Sequence, residues 1–185
     1  MKNLLLTAII TLICFTSCQK EEDPFLITKS NIGLLTDSTK VKDLSVVFSN
    51  DSIKKYIGGD EFTGNINDIE IYSKLTKEKI IVLTPKQALD STSTIKTVNV
   101  LDKQFKTAKG LNSNSTFKDI KNNYKISSIQ NTLRNLIVSV NEMNMYFTIE
   151  KTELPAELRF DMNLKIEAIQ IPDDAKIKNF YLQWN

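Results

Sequence analysis

Short stretches in which apolar and polar residues alternate recur along most of this chain. Because successive side chains of a β-strand point to opposite faces, this period of two predicts strands with one buried and one solvent-facing side. The fold is therefore expected to be built mainly on an antiparallel sheet. The apolar positions that define the predicted strands are Ile69 and Ile71, the run Ile80 to Leu83, Val98 and Val100, Met145, Phe147 and Ile149, and Phe180, Leu182 and Trp184.

Two short segments follow helical spacing instead. Each is preceded by Ser or Thr, whose hydroxyl can accept a hydrogen bond from a free backbone N–H at a helix start. The sequence predicts amphipathic helices near residues 39–48 and 115–124, and a hairpin turn over Val140 to Asn144. The apolar positions at helical spacing are Val41, Leu44 and Phe48 in the first segment and Phe117, Ile120 and Tyr124 in the second.

The chain also contains a weak tandem repeat. Each copy opens with Gly-Leu, passes through an Asp- or Asn-Ser-Thr segment and then a Lys-Asp pair, and ends in an alternating apolar stretch. The alternative is a pair of unrelated helix-and-strand segments, because short apolar alternations recur by chance. The corresponding positions are Gly33 and Gly110 at the starts, Ile95 to Asp102 and Ile166 to Asp173 at the ends, and, within these ends, Val98 and Val100 against Ile169 and Ile171.

These patterns together predict an α+β fold: an antiparallel sheet with helices on one face, built from two tandem helix-plus-strands repeats. The arrangement is similar in outline to small tandem-repeat domains built like the β-lactamase inhibitor protein, and this resemblance of architecture implies a binding role. The predicted organisation is a signal peptide over residues 1–17, an acylated cysteine and acidic tether over 18–25, and repeats over 26–105 and 106–185.

The first residues have the composition of an export signal. Lys2 precedes an apolar run from Leu4 to Phe15 that is too short to span a bilayer stably. The stretch Phe15-Thr16-Ser17-Cys18 resembles a lipobox, in which Leu, a small residue and Gly, Ala or Ser precede the cysteine. The resemblance implies cleavage before Cys18, diacylglycerol on its sulfur and a palmitate-like acyl chain on its amine. The alternative is an ordinary secretory signal.

A polar run follows the cysteine, comprising Gln19, Lys20, Glu21, Glu22 and Asp23. Such a run cannot bury itself and is expected to form a solvated tether. It resembles the surface-export signal of Bacteroidota lipoproteins, in which Gln-Lys and then two or three acids follow the lipidated cysteine. The resemblance implies an anchor in the outer membrane with the domain at the cell surface. The alternative is a charged spacer on a lipoprotein that faces the periplasm.

Several classes of chemistry are excluded by composition. The chain has no histidine, so Ser-His-Asp, Cys-His and histidine-based metal sites cannot form. Its two cysteines are Cys14 in the leader and Cys18, so no pair remains for an internal disulfide after cleavage. Acidic and basic residues are interspersed along the chain, whereas nucleic-acid-binding proteins cluster Lys and Arg on one face. Gly58-Gly59 is interpreted as a turn, and no cofactor or metal is expected because no phosphate-cradling or metal-binding motif is present.

The remaining polar candidates have an ordinary interpretation beside the functional one. The acids at 60–61, at Glu150, Glu153 and Glu157, and at 173–174 are interpreted as solvated turns rather than as catalytic pairs or calcium ligands. Trp184 is expected to pack in the core rather than to stack on a ligand. Three Asp-Ser segments resemble the O-glycosylation site of Bacteroidota, although Asp-Ser is also common turn chemistry. The serines concerned are Ser38, Ser52 and Ser91.

The sequence therefore predicts a non-catalytic, membrane-anchored surface lipoprotein that binds a protein or glycan partner through its sheet face or loops. One alternative is a carboxylate-dependent envelope hydrolase, which would need two carboxyl groups facing each other across a pocket. Another is a structural or assembly factor of the outer membrane. Nothing in the sequence names the partner.

Overall fold

The structure is a computed structural model that describes residues 23–55 and 67–185. The predicted signal peptide, Cys18 and the tether as far as Glu22 lie outside these residues, as do the Gly58-Gly59 turn and the acids at 60–61.

Strands are the main regular structure of the described chain, and its twelve strands form two sheets. The strands are β1 (Leu26–Ile27), β2 (Asn31–Ile32), β3 (Leu35–Thr36), β4 (Asp51–Lys55), β5 (Ile69–Ser73), β6 (Lys79–Pro85), β7 (Ile95–Val100), β8 (Lys106–Thr107), β9 (Ser128–Asn131), β10 (Asn135–Val140), β11 (Met145–Glu150) and β12 (Ile177–Gln183).

The larger sheet has eight strands in the order β4-β5-β6-β7-β12-β11-β10-β9, and every neighbouring pair is antiparallel. The predicted antiparallel sheet is therefore confirmed. Four strands that are consecutive in the chain, β4 to β7, form one half, and β9 to β12 form the other. The two halves meet at the β7–β12 pair, which lies at the centre of the sheet.

The smaller sheet has four strands in the order β3-β2-β1-β8. Its strands are only two residues long, and β1 pairs with β8 in parallel, whereas its other pairs are antiparallel. Gly33 forms the turn between β2 and β3 with a φ of +54°. A Cβ atom at this position would lie 2.1 Å from the carbonyl oxygen of Pro24, so this turn requires glycine.

The helices are present but shorter than predicted. A 3-10 turn over Val41–Asp43 leads into α1 (Leu44–Val47), and α2 spans Phe117–Asn123. A capping box stabilises the start of α2, because Thr116 and Asp119 each satisfy the other's backbone N–H. Further 3-10 turns cover Asn141–Met143, Lys151–Glu153, Ala156–Leu158 and Ala168–Gln170.

One hydrophobic core lies against a single face of the larger sheet. The four predicted helix residues Val41, Leu44, Phe117 and Ile120 are all buried in it, as predicted. Cross-strand neighbours on this face form a line of apolar side chains across all eight strands, which we call the core row. The core row consists of Ile53, Ile71, Ile81, Val100, Phe180, Phe147, Val138 and Ile129.

The predicted match between the ends of the two repeats is wrong. Ile169 lies in a 3-10 turn and is 93% exposed, and Ile171 follows that turn, so neither residue belongs to a strand. The strand that lies beside β7 and carries alternating buried residues is β12, with Phe180 and Leu182. Ile166, Ile169 and Ile171 are three and two residues apart in the sequence. Such short spacings of apolar residues occur in turns as well as in strands, so they were mistaken for the alternation of a strand.

Two other predictions are confirmed. The turn over Val140 to Asn144 connects β10 to β11, and Asn144 adopts a left-handed conformation there with a φ of +54°. Trp184 is 2% exposed, and its indole N–H donates a hydrogen bond to the carbonyl oxygen of Lys29 at 3.1 Å. The tryptophan therefore packs in the core and links the end of β12 to the loop after β1.

Candidate functional site on the outer face of the larger sheet

The face of the larger sheet opposite the core carries a different set of side chains. Their cross-strand neighbours also form a continuous line across all eight strands, which we call the outer row. Most of its members are partly or fully exposed. The alternation is visible in consecutive residues, because Phe180 is fully buried in the core and Tyr181 lies on the outer face. The outer row consists of Lys54, Glu70, Val82, Asn99, Tyr181, Tyr146, Ser139 and Ser128.

A cavity of about 340 Å³ opens on this face, and we call it the central cleft. It lies over β5, β6, β7 and β12, so it spans the line where the two halves of the sheet meet. Its lining is mainly polar, which distinguishes it from the apolar pockets that bind most small hydrophobic ligands. The cleft is lined by Asp68, Glu70, Lys79, Val82, Thr84, Thr97, Asn99 and Tyr181.

One side of the central cleft is held by a network around Glu70. Lys79 forms an ion pair with one carboxylate oxygen of Glu70, and the hydroxyl of Tyr72 donates to the other oxygen at 2.6 Å. The ring of Tyr72 lies between two lysines, with Lys54 Nζ at 4.5 Å and Lys79 Nζ at 5.8 Å from its centroid. Both oxygens of Glu70 are therefore engaged, and the aromatic ring is held between cations.

The other acid of the cleft, Asp68, has a different environment. Its Oδ1 accepts a hydrogen bond from the Thr84 hydroxyl at 2.7 Å. Within residues 23–55 and 67–185, no lysine or arginine nitrogen lies within 4.0 Å of this carboxylate. Across the cleft, the side-chain oxygen of Asn99 is buried and has no hydrogen-bond partner among the same residues. The carboxylate of Asp68 and the side-chain oxygen of Asn99 can therefore accept further hydrogen bonds.

A pair of stacked tyrosines borders the cleft at the centre of the sheet. The ring centroids of Tyr146 and Tyr181 lie 4.7 Å apart, with an angle of 13° between the ring planes. Burial raises the pKa of both phenols above the ordinary tyrosine value, and the negative charge of Asp68 raises the pKa of Tyr181 further. Both hydroxyls therefore stay protonated at neutral pH and can donate hydrogen bonds.

Beyond the tyrosine pair lies a second, shallower cavity of about 320 Å³. Its lining includes Tyr146, Ser139 and the turn residues Asn141 and Asn144. The outer face thus offers two polar hollows separated by two aromatic rings. Tyrosine flanked by polar groups is a composition typical of surfaces that bind other macromolecules.

The residues predicted for export and modification lie elsewhere. Asp23 begins the described chain, and its side chain accepts a hydrogen bond from the backbone N–H of Phe25 at 2.9 Å. Ser38, Ser52 and Ser91 are all exposed, so each is accessible, and glycosylation at these positions stays a prediction. Of the three, Ser52 pairs with Tyr72 and therefore points to the same side as the outer row.

The two acid clusters within the described residues are consistent with the interpretation as ordinary surface. Glu150 pairs with Lys178, and this hydrogen bond and charge lower the pKa of the Glu150 carboxyl. Asp173 pairs with Lys121. In the part of the chain that the structure describes, no three potential metal-binding side chains of the Asp, Glu, Cys or His types cluster together.

Sequence reasoning did not single out the residues of the central cleft. Asp68, Glu70, Asn99 and Tyr181 are far apart in the chain and occupy the polar positions of predicted strands, where side chains are usually only solvated. The available signal was the presence of tyrosine and an acid at such positions. Without the strand register, nothing indicated that these positions form one row.

Comparisons with known proteins identify the fold and no family. No protein-family model matches the chain, and no curated protein matches it. A similar solved structure is the crystal structure of the uncharacterized protein YfeY from Escherichia coli. The two chains are 13% identical and superpose with a TM-score of 0.55, over 85% of this chain and 99% of YfeY. Among the residues described, no helix is long and apolar enough to cross a membrane.

Proposed function

We propose that this protein is a lipoprotein of the outer membrane that binds a macromolecular partner through the outer face of its larger sheet. The observation that carries the proposal is the contrast between the two faces of that sheet. One face packs against the core on all eight strands, whereas the other presents a cleft and stacked tyrosines to the surroundings. A rigid sheet whose exposed face combines polar groups with aromatic rings is suited to binding another macromolecule.

The choice of a protein or glycan partner over catalysis is supported by the state of the two acids in the cleft. A hydrolase that uses two carboxyl groups needs both to act on the substrate, as acid, base or nucleophile. Both oxygens of Glu70 are already bound by Lys79 and Tyr72. This arrangement favours binding over the carboxylate-dependent hydrolase.

Replacing Tyr146 and Tyr181 together by alanine should weaken partner binding by about 30-fold or more, the loss of about 2 kcal/mol typical of a central aromatic anchor. The measurement is quantitative capture of crosslinked partners from membranes by the lipidated protein. The matched control is Ile169→Ala, which removes an exposed apolar side chain from a turn outside the outer row. Equal capture by the double variant and the wild type would remove the outer face from consideration.

We propose that the anchor is lipid on Cys18 and that the run from Gln19 to Asp23 directs the domain to the cell surface. The support is the lipobox-like stretch before the cysteine and the order of Gln-Lys and acids after it. Several acyl chains, at about 0.8 kcal/mol per buried methylene, would make the attachment effectively permanent. A periplasm-facing lipoprotein remains the alternative for the orientation.

Protease added to intact cells should degrade the wild-type protein, because a surface-exposed domain is accessible without lysis. Replacing Lys20, Glu21 and Glu22 by alanine should protect it by retaining it inside the outer membrane. A periplasmic protein that stays intact in the same cells controls for leakage. Protection of the wild type in such cells would contradict surface export.

We further infer that the chain arose by internal duplication, with α1 and β4 to β7 equivalent to α2 and β9 to β12. The 3-10 turn that leads into α1 and the helix α2 begin with similar external backbone bonds: Val41 N donates to Ser93 O, and Phe117 N donates to Ala175 O. Gly33 and Gly110, the predicted starts, both have positive φ. In this proposed equivalence of the two halves, the counterpart of β7 is β12 rather than residues 166–171.

The duplication can be tested by comparing the two halves across related sequences. Apolar character should covary between equivalent positions, with Leu44 matched to Ile120 and Phe48 matched to Tyr124. An alignment of the halves that prefers another offset in most relatives would argue against a common origin.

A further inference from the structure

The charges of the described residues that line the central cleft do not balance. Among these residues the ionised side chains are Asp68, Glu70 and Lys79, and Lys79 forms an ion pair with Glu70. Asp68 adds one negative charge, and no described lysine or arginine lies within ion-pair distance of it. An uncompensated carboxylate in a concave, partly desolvated site attracts positive charge more strongly than it would on an open surface.

The hydrogen-bonding groups around Asp68 point to the same kind of ligand. Thr84 donates to one oxygen of Asp68, and no described residue donates to the other oxygen. The buried side-chain oxygen of Asn99 also has no donor among the described residues. Because the unmet groups are acceptors, a ligand rich in N–H donors satisfies them, whereas an anion would place acceptor against acceptor.

The aromatic wall of the cleft completes this environment. Tyr181 lines the cavity and is close enough to Asp68 for the carboxylate to raise the pKa of its phenol. A cation held at Asp68 would therefore lie near an aromatic ring as well as a carboxylate. This combination of groups is common where proteins bind ammonium and guanidinium groups.

We propose that the central cleft is a subsite for one cationic side chain, lysine or arginine, of a protein partner, and this proposal rests on the proposed binding role of the outer face. At about 340 Å³, the cleft lies near the lower end of the roughly 300–1,000 Å³ range of ligand pockets. It suits a single side chain inserted from a partner surface that covers the rest of the outer row. A neutral glycan is the competing ligand class and becomes an outcome of the test.

The test uses the lipidated mature protein in detergent and two capped amino acids, N-acetyl-arginine methylamide and its citrulline counterpart. Citrulline has nearly the shape of arginine and no charge. Binding is followed by the NMR shifts of the backbone amides of Thr84, Asn99 and Tyr181. We expect saturable shifts with arginine and at least about tenfold weaker binding of citrulline, because a charged hydrogen bond contributes about 1.5–3 kcal/mol.

Asp68→Asn should weaken arginine binding by at least about tenfold, whereas Asp68→Glu, which keeps the charge, should retain most of it. Asp174→Asn is the matched control, because it removes an exposed acid of the same charge beyond the outer row. The amide spectrum also shows whether each variant is folded. Equal binding of citrulline and arginine, undiminished binding by Asp68→Asn, or cleft shifts with neutral oligosaccharides but not with arginine would overturn the proposal.

The same variants separate this proposal from the proposed function. If the tyrosine double variant loses partner capture while Asp68→Asn keeps it, the outer face binds a partner and the cationic subsite is wrong. If arginine binds at the cleft while the tyrosine variant captures partners normally, the cleft binds a cationic group, but the proposed role of the outer face and the assignment of that group to a partner are wrong.

Discussion

Phe180→Ala is expected to destabilise the folded protein by about 3–5 kcal/mol, which is a large share of the roughly 5–15 kcal/mol by which a domain is usually stable. Phe180 is fully buried on β12, opposite Val100 and Phe147. Its ring lies 4.7 Å from that of Phe147, and it sits where the two halves of the sheet meet. Truncation there leaves a cavity that neither half can fill without disturbing the other.

The loss can be measured by urea unfolding followed through the fluorescence of Trp184, the only tryptophan in the chain. This indole is buried in the same core, so its emission reports exposure of that core. The matched control is Tyr181→Ala, which removes an aromatic ring from the next residue on the outer face. Because Tyr181 remains partly exposed, its loss should cost less than half as much. Similar losses at the two positions would contradict the assignment of the two faces.

Cys18→Ala is expected to abolish incorporation of a clickable fatty acid into the protein, because the thiol is the proposed site of lipid attachment. Metabolic labelling followed by gel fluorescence measures this effect.

Cys14→Ala provides the matched control for this experiment. Cys14 lies within the apolar run of the leader, so the proposed cleavage before Cys18 removes it. Labelling should therefore remain at the wild-type level in Cys14→Ala. Equal labelling of Cys18→Ala and the wild type would show that the lipid, if any, is attached elsewhere.

Much of the core could be predicted from the sequence, because burial on one face of a sheet imposes a period of two. Val98, Val100, Phe147 and Phe180 were found in this way, and all are fully buried. The method missed β4, whose sequence Asp-Ser-Ile-Lys-Lys contains one apolar residue. An edge strand contributes little to the core, so its sequence carries little alternation.

The outer row could not be predicted in the same way. Asn99 and Tyr181 become neighbours only through the pairing of β7 with β12, and Tyr146 joins them only through β11. Strand pairing depends on packing across the whole sheet, and a shift of one residue would move each of these side chains to the other face. The error at Ile169 has a related cause, because local spacing alone does not distinguish a strand from a turn.

The short pairing of β1 with β8 affects how the domain would respond to a mechanical load. If the chain is held by lipid at Cys18, tension between the membrane and a bound partner reaches the fold first at β1, which follows the tether directly. This strand is two residues long and pairs at only two positions with β8, whereas the strands at the centre of the larger sheet have six or seven residues. Under force, β1 should therefore detach first and lengthen the tether, while the outer face keeps its shape and stays bound.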